Sequence, residues 1–312
     1  MERKAFTIVE SLVVVAVMAL LMAILMPGLS KARQLAFRLR CGTNLAGIGK
    51  AALAYANDYE DQFPISGLTT SIWGAPIRDW KAPDRPSAFA ATTRPGFSGP
   101  RNPRCQPRPM PSLATTTSCF YLLVKYGGLP PESFLCKGDS GVTEFRLSDD
   151  DANGMRLVDL WDFGNEPMEH CSYSYHMPFG AYRLTAMNSP GMAVAADRNP
   201  WQDSSFAGRK VNTDFDLFDP DGDREAIKHG NATVHREQGQ NVLFLDGHLT
   251  FEKRAFCAIN DDNIYTWSDG TTDARRGDLP ILGASGAMRR TDSFLVTDGQ
   301  GVRLDERSVI KE

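Results

Sequence analysis

Near its N-terminus the chain reads Lys4-Ala-Phe-Thr-Ile-Val-Glu-Ser-Leu-Val-Val-Val-Ala-Val-Met-Ala-Leu-Leu-Met-Ala-Ile-Leu-Met-Pro27, a basic tip followed by an apolar run. The apolar part, residues 6–26, matches the length of roughly 20 residues that a helix needs to cross the hydrocarbon core of a bilayer. Its only charged side chain is Glu10. The run therefore predicts a membrane-spanning helix, from which the rest of the chain extends.

Glu10 is the informative residue of this helix. An acid at mid-membrane costs about 2.5 to 3.5 kcal/mol on insertion scales and calls for a positively charged partner. Cleavage between Ala5 and Phe6 would create an amine on Phe6, but on the same helix that amine lies about one turn from Glu10. A neighbouring copy, displaced along a shared axis, would bring its amine alongside the carboxylate.

This N-terminus resembles the prepilin signal of type IV pilins and type II secretion pseudopilins. That signal has a short basic leader, a small residue before the cut, Phe, and Glu at the fifth mature position; here these are Arg3 and Lys4, Ala5, Phe6 and Glu10. The resemblance implies that a membrane prepilin peptidase cleaves before Phe6 and methylates its amine, and that Glu10 neutralises the amine of an adjacent subunit. The family usually has Gly where this chain has Ala5.

An ordinary signal peptide or anchor is the alternative. A secretory signal has an apolar region of about 7 to 15 residues and then an A-x-A-like site, and the run meets neither condition. Basic residues after the run outnumber Arg3 and Lys4, so the positive-inside rule alone does not place the N-terminus in the cytoplasm. The family resemblance gives that orientation. These later basic residues are Lys31, Arg33, Arg38 and Arg40.

The composition is that of a globular protein with a substantial core. The chain has 312 residues, of which 42% are hydrophobic and 23% charged, enough for one large or two modest domains. The net charge of -4 argues against a protein built to hold nucleic acid.

The helical pattern continues after Pro27, where we expect a kink. Apolar residues recur at near-helical spacing and predict one long helix over residues 6–63, whose second half packs on the globular part. Four glycines, Gly28, Gly42, Gly47 and Gly49, weaken this helix by about 1 kcal/mol each. The segment from Cys41 to Tyr59 resembles the same region of large pseudopilin-like proteins of planctomycete-type bacteria.

Residues 64–312 form the predicted extracytoplasmic α+β domain. Its first part, residues 64–112, is rich in proline and lacks periodicity, which predicts a long exposed loop. Order returns with a short helix that ends at Gly127-Gly128. Ser133-Phe-Leu-Cys-Lys-Gly-Asp139 resembles a phrase of the same protein group that usually reads Cys-Pro-x-Asp. Strands are predicted at residues 172–176 and 192–197, the second ending in Asp197.

A hairpin is predicted within residues 229–251. Two strand-like runs flank Asp246-Gly247, a pair typical of the type I′ turn in which both central residues have positive φ. The phrase from His235 through His248 resembles the processing-associated H-X9-DG domain of planctomycete prepilin-like proteins. Here ten residues separate His235 from Asp246, one more than the motif specifies.

His235, Asp246 and His248 also suggest a hydrolytic metal site, which needs three converging ligands and an open position. The hairpin accounts for Asp246 and Gly247 without any chemistry, and no serine elbow, P-loop or HExxH pattern occurs elsewhere. We therefore expect that the protein is not an enzyme.

Calcium is the one cofactor that the sequence suggests. Carboxylates occupy every second position from residue 219 to residue 225, a spacing by which a loop can wrap a cation, although the full EF-hand pattern is absent. They belong to Asp219, Asp221, Asp223 and Glu225. Some pseudopilins bind calcium, which favours this interpretation; an acidic solvated turn is the alternative.

The six cysteines allow 15 connectivities if all pair. On the oxidising side of the membrane disulfides are expected; a single bridge from Cys136 to Cys171 is our first candidate.

The sequence thus predicts a pilin-like α+β fold: a long N-terminal helix packed on an antiparallel sheet, with a large loop insertion. The expected function is that of a pseudopilin-like subunit of a type II secretion pseudopilus or type IV pilus-like filament. The expected location is the inner membrane, spanned once, with the C-terminal domain periplasmic. Expected partners are prepilin peptidase, other pilin or pseudopilin subunits, the inner-membrane assembly platform and lipid, but no nucleic acid. The alternatives are a monomeric anchored protein that binds calcium or a glycan, and an anchored hydrolase.

Overall fold

The computed structural model describes residues 8–68, 71–74, 77, 79–90, 112–148, 154–202, 214–279 and 286–298. Ala5 and Phe6, the expected processing residues, lie outside the described residues.

The first element is a single long helix, α1 (Ile8–Asp58), of 51 residues. At 1.5 Å per residue it is about 76 Å long. It continues through Pro27, so the proline does not end it; the kink expected there stays a prediction. An 18-residue window within α1 has a mean hydropathy of 2.8 and no buried residue, so by length and composition this helix could cross a membrane.

The second half of α1 packs against the globular part through one face. The buried positions begin at Cys41 and recur every three or four residues, as expected for one side of a helix. They are Cys41, Gly42, Leu45, Ile48, Gly49, Ala52, Tyr55 and Ala56.

Gly49 allows α1 to approach the sheet closely. A Cβ at this position would lie 2.8 Å from Leu243 Cδ1, closer than carbon atoms pack. At Gly42 it would lie 3.1 Å from Leu249 Cδ2. Both glycines lower the helix propensity, but because they have no side chain they allow α1 to pack closely against the sheet.

The sheet has five antiparallel strands: β3 (Tyr173–His176), β4 (Ala193–Asp197), β5 (Gln240–Phe244), β6 (Leu249–Glu252) and β7 (Leu295–Val296). Their order in the sheet is β6-β5-β4-β3-β7. In this sheet, β5 and β6 form the predicted hairpin, and β4 lies beside β5 with an irregularity between Ala193 and Ala195. The long helix and the antiparallel sheet agree with the predicted α+β class.

Both faces of this sheet are covered. Leu243 and Tyr175 belong to the large apolar cluster that also includes the second half of α1. Val242 and Phe244, which alternate with Leu243 on β5, belong to a smaller cluster with Trp201 and Phe218. Side chains on one strand point alternately to the two faces, so the smaller cluster covers the face opposite α1.

Shorter elements complete the fold. They are β1 (Ile72–Trp73), α2 (Arg85–Ala88), β2 (Leu113–Ala114), α3 (Thr116–Lys125) and α4 (Arg224–Lys228). The strands β1 and β2 pair in parallel, and α3 contributes side chains to the large apolar cluster. The predicted helix before Gly127-Gly128 is therefore confirmed as α3.

The prediction of an exposed loop over residues 64–112 is wrong for the part that the structure describes. Trp73, Trp80 and Phe89 are buried in the large cluster. Arg85 donates to the carbonyl oxygens of Ile65 and Gly67, each at 2.7 Å. The proline content and the lack of periodicity suggested solvent exposure, whereas aromatic side chains of the segment fill the core.

Candidate functional site

Three segments that carried the family resemblance meet at one place beside α1. Cys41 of α1 forms a disulfide with Cys136 of the Ser133–Asp139 phrase, and their Cα atoms are 5.3 Å apart. The predicted bridge from Cys136 to Cys171 is wrong. Cys171 is a free thiol whose pKa is raised to about 12 by burial. The bridge closes on α1 because the helix lies directly over the segment that contains Cys136.

Asn44, one turn after Cys41, fixes the same contact. Its side-chain amide donates to the carbonyl oxygen of Leu135 at 2.8 Å and lies 3.3 Å from the hydroxyl of Tyr173. Leu135 directly precedes Cys136. A covalent bond and a hydrogen bond on successive turns therefore hold this phrase against α1.

His235 reaches the same place from the H-X9-DG-like motif. Its Nε2 lies 3.1 Å from Oδ2 of Asp197, and both side chains are almost completely buried. Asn241 supports the pair: its backbone N–H donates to Asp197 Oδ2 at 2.6 Å, and its side-chain amide lies 3.1 Å from the same oxygen. Because β4 and β5 are adjacent, Asp197 at the end of β4 faces Asn241 on β5. The order of the strands thus places the carboxylate beside the histidine.

Together, the ligand atoms of Cys41, Cys136, Asp197 and His235 lie within 4.8 Å of one another. Among the described residues, this is the group of His, Cys, Asp and Glu side chains that could hold a metal ion. All four residues are buried. We call these four residues the junction cluster.

A buried ion pair lies next to the junction cluster. Arg198, which follows Asp197, places its Nε 3.5 Å from Oδ2 of Asp139, and the side chains are 5% and 4% exposed. Asp139 ends the phrase that contains Cys136, so the phrase is attached to α1 near its middle and to Arg198, next to β4, at its end. Removing one partner of such a pair leaves an uncompensated buried charge.

The hairpin turn differs from the predicted type. Phe244 N–H donates to the carbonyl oxygen of His248 at 3.0 Å, and Gly247 N–H donates to that of Phe244 at 2.9 Å. Gly247 has a φ of 85°, whereas Asp246 does not have a positive φ. The loop therefore has three residues with glycine at the left-handed position. The hairpin is confirmed and the type I′ turn is wrong, because Phe244 pairs with His248 and leaves Leu245 inside the loop.

Asp246 and His248 interact with each other at the surface. His248 Nδ1 lies 2.5 Å from Asp246 Oδ1, and the His248 ring stacks on Phe244 with centroids 4.4 Å apart. The backbone N–H of His248 lowers the pKa of the Asp246 carboxyl. His235, in contrast, is buried and its imidazole contacts Asp197 rather than Asp246 or His248. Within the described part of the chain, His235, Asp246 and His248 do not form a common ligand group.

The acidic loop at residues 219–225 has protein donors at each carboxylate. Asp223 caps α4 by accepting from the backbone N–H groups of Glu225 and Ala226. Asp221 accepts two bonds from Arg275, at 2.7 and 3.0 Å. Asp219 accepts from the backbone of Asp221, and Glu225 pairs with Lys228. Calcium at this loop stays a prediction, which an unchanged melting temperature on chelation would reject.

Glu10 lies in the first turn of the described part of α1, on the exposed apolar half of the helix. The exposed fractions of neighbouring side chains are large, 85% for Ile8 and 70% for Val9. This half of α1 makes no buried contact with the globular part among the described residues, so it is available to lipid or to other helices.

The chain matches no known family's sequence profile, no curated protein and no solved structure. The likeness to prepilins therefore remains a resemblance in the residues named above.

Sequence reasoning missed the role of Asp197 and of Cys41. The signal was present in part: Asp197 ends a buried strand, and each of two resembling segments contains one cysteine. The sequence does not show that β4 and β5 are adjacent or where α1 passes over the sheet, and both are known only from the fold.

Proposed function

We propose that this protein is a pseudopilin-like subunit, processed before Phe6 and assembled through α1 into a type II secretion pseudopilus or type IV pilus-like filament. Processing would require prepilin peptidase, and assembly would require an inner-membrane platform and further subunits. The protein would span the inner membrane once, with the sheet domain on the periplasmic side. It would act as a structural component, with no enzymatic activity and no nucleic-acid partner.

The observation that carries this proposal is the exposed apolar surface of α1 beyond the membrane-spanning length. Leu35 and Leu39 are 56% and 65% exposed. They lie 9 and 13 residues after Met26, so about 14 and 20 Å further along the helix. The headgroup region on one side of a bilayer is only about 5 to 8 Å thick.

Leu35 and Leu39 would therefore lie in water in a monomeric anchored protein, where exposed large apolar groups are unfavourable. Helices of neighbouring subunits would cover them in a filament. This favours a filament subunit over the monomeric anchored alternative.

Replacing Glu10 with alanine tests assembly separately from membrane insertion. Removing the acid lowers the cost of insertion by about 2.5 to 3.5 kcal/mol, so Glu10→Ala should remain in the membrane fraction. It should lose recruitment into the filament because the amine of the adjacent subunit loses its carboxylate partner. The measurement is co-purification of two differently tagged copies from cells that contain the assembly machinery, alongside carbonate extraction of membranes.

Glu132→Ala is the matched control, since Glu132 is an exposed acid on the globular part. It should leave both insertion and co-purification unchanged. Normal co-purification of the Glu10→Ala copies would reject the proposed role of this carboxylate and favour a simple anchor.

A further inference from the structure

The junction cluster has the composition of a zinc site. Two cysteine sulfurs, one imidazole nitrogen and one carboxylate oxygen are the ligand types that Zn²⁺ prefers, and four of them complete a closed structural site. They come from α1, from the Cys136 phrase, from β4 and from the segment before β5. Four distant parts of the chain therefore bring a full ligand set to one buried place.

The spacing of the ligand atoms suits a single ion. In a tetrahedral site with bonds of about 2.0 to 2.3 Å, ligand atoms lie roughly 3.3 to 3.8 Å apart. The ligand atoms of the junction cluster lie within 4.8 Å of one another, and His235 Nε2 and Asp197 Oδ2 are 3.1 Å apart. Once the S–S bond is reduced, the two sulfurs would have to separate to roughly 3.8 Å, and the other ligand atoms would have to move by about 1 Å, to enclose an ion.

A second observation independently points to a ligand. Oδ1 of Asp197 is buried and has no hydrogen-bond donor among the described residues. Leaving a buried acceptor without a partner costs about 1 to 3 kcal/mol, and more when it is charged. A metal ion bound by this carboxylate would remove that cost.

The surroundings fit the charge of a zinc-loaded site. Two thiolates and one carboxylate carry three negative charges, one more than Zn²⁺ neutralises. A cleft of about 440 Å³ borders His235 and is lined in part by Arg38, Lys137 and Arg236. These three basic side chains share the cleft with His235, and positive charge near a cysteine favours the thiolate that binds metal.

We propose that Cys41, Cys136, Asp197 and His235 bind Zn²⁺ when the two cysteines are reduced, and that the Cys41–Cys136 disulfide and the zinc site are alternative states of one clamp between α1 and the sheet. A newly synthesised chain has both thiols and needs no reductant to reach the zinc state.

From the disulfide, a dithiol reductant supplies two electrons and two protons and is itself oxidised to a disulfide. The two thiols of Cys41 and Cys136 then release two protons to solvent as their thiolates bind the ion. In either state, the clamp connects the membrane helix to the sheet.

The test uses the full-length protein in detergent micelles, either oxidised or reduced with a phosphine, and Zn²⁺ or Co²⁺ as the probe. We expect about one equivalent of tightly bound zinc per reduced chain and less than roughly a tenth of that per oxidised chain. Bound Co²⁺ should show the charge-transfer absorption that thiolate ligands produce. Equal zinc content in the oxidised and reduced proteins would overturn the proposal, and this comparison needs no substitution.

Variants identify the ligands. Cys41→Ser leaves Cys136 as the one thiolate ligand and should remove about half of the thiolate absorption. His235→Gln and Asp197→Asn should each weaken zinc binding at least about tenfold, a loss seen even for residues that only support a ligand. Cys257→Ser and His248→Gln are the matched controls, since neither residue belongs to the cluster, and they should bind as the parent does. A site whose affinity survives both His235→Gln and Asp197→Asn is not the one proposed.

Discussion

Replacing both cysteines of the Cys41–Cys136 disulfide with serine should lower the free energy of unfolding of the globular part by about 4.7 kcal/mol. The bond joins residues 95 positions apart. In the chain-entropy treatment, a cross-link over about that length removes roughly 16 cal/mol/K from the entropy of the unfolded chain, which corresponds to this value at 25 °C. The loss is large compared with a total stability of about 5 to 15 kcal/mol for a typical domain.

Urea unfolding of the metal-free, oxidised protein in micelles would measure this change. The buried side chains of Trp73, Trp80 and Trp161 report the unfolding of the large apolar cluster through their fluorescence. Cys257→Ser is the control, because Cys257 is a free thiol and a single substitution of this kind changes stability by about 1 kcal/mol. A loss in the double variant no greater than that of the control would show that the two cysteines are not bonded in the folded protein.

Two further predictions concern the helix contact and the buried acids. Gly49→Ala should lower the melting temperature, because its Cβ would lie 2.8 Å from Leu243. Gly47→Ala, whose Cβ would have no atom within 4 Å, should raise the melting temperature through a gain in helix propensity of up to about 1 kcal/mol. Thermal unfolding of both variants measures these changes, and equal shifts would contradict the close contact at Gly49. Burial raises the pKa of the Asp162 carboxyl to about 8, above its value in the unfolded chain. The folded state therefore binds a proton at Asp162 more tightly than the unfolded state does, and the contribution of Asp162 to stability is lost as the pH rises from about 4 to about 8. Asp162→Asn should flatten that decline in melting temperature, and an unchanged pH profile would argue against the raised pKa.

The sequence predicts the elements of this fold better than their contacts. The apolar run and the residues that follow it at helical spacing are local patterns, and they correctly predict α1. Alternating residues around Asp246-Gly247 likewise predict the hairpin of β5 and β6. The type of turn was missed because it depends on Phe244 pairing with His248, which sequence alone does not specify.

The candidate site could be predicted only in part. Cys41, Cys136 and His235 stand out because each belongs to a segment that resembles a known phrase. Asp197 lies in none of these segments, and the pairing of Cys41 with Cys136 cannot be deduced from cysteine spacing. Gly49 shows the same limit, since its cost to the helix is a local property and its benefit depends on Leu243 of another element.

We infer that the chain is processed as a prepilin, and the decisive measurement is the intact mass of the full-length protein extracted from membranes that contain prepilin peptidase. The mass should lack Met1 to Ala5 and include one methyl group, located on the amine of Phe6 by fragmentation. A mass that retains the leader, or a cleavage site elsewhere in the apolar run, would contradict it.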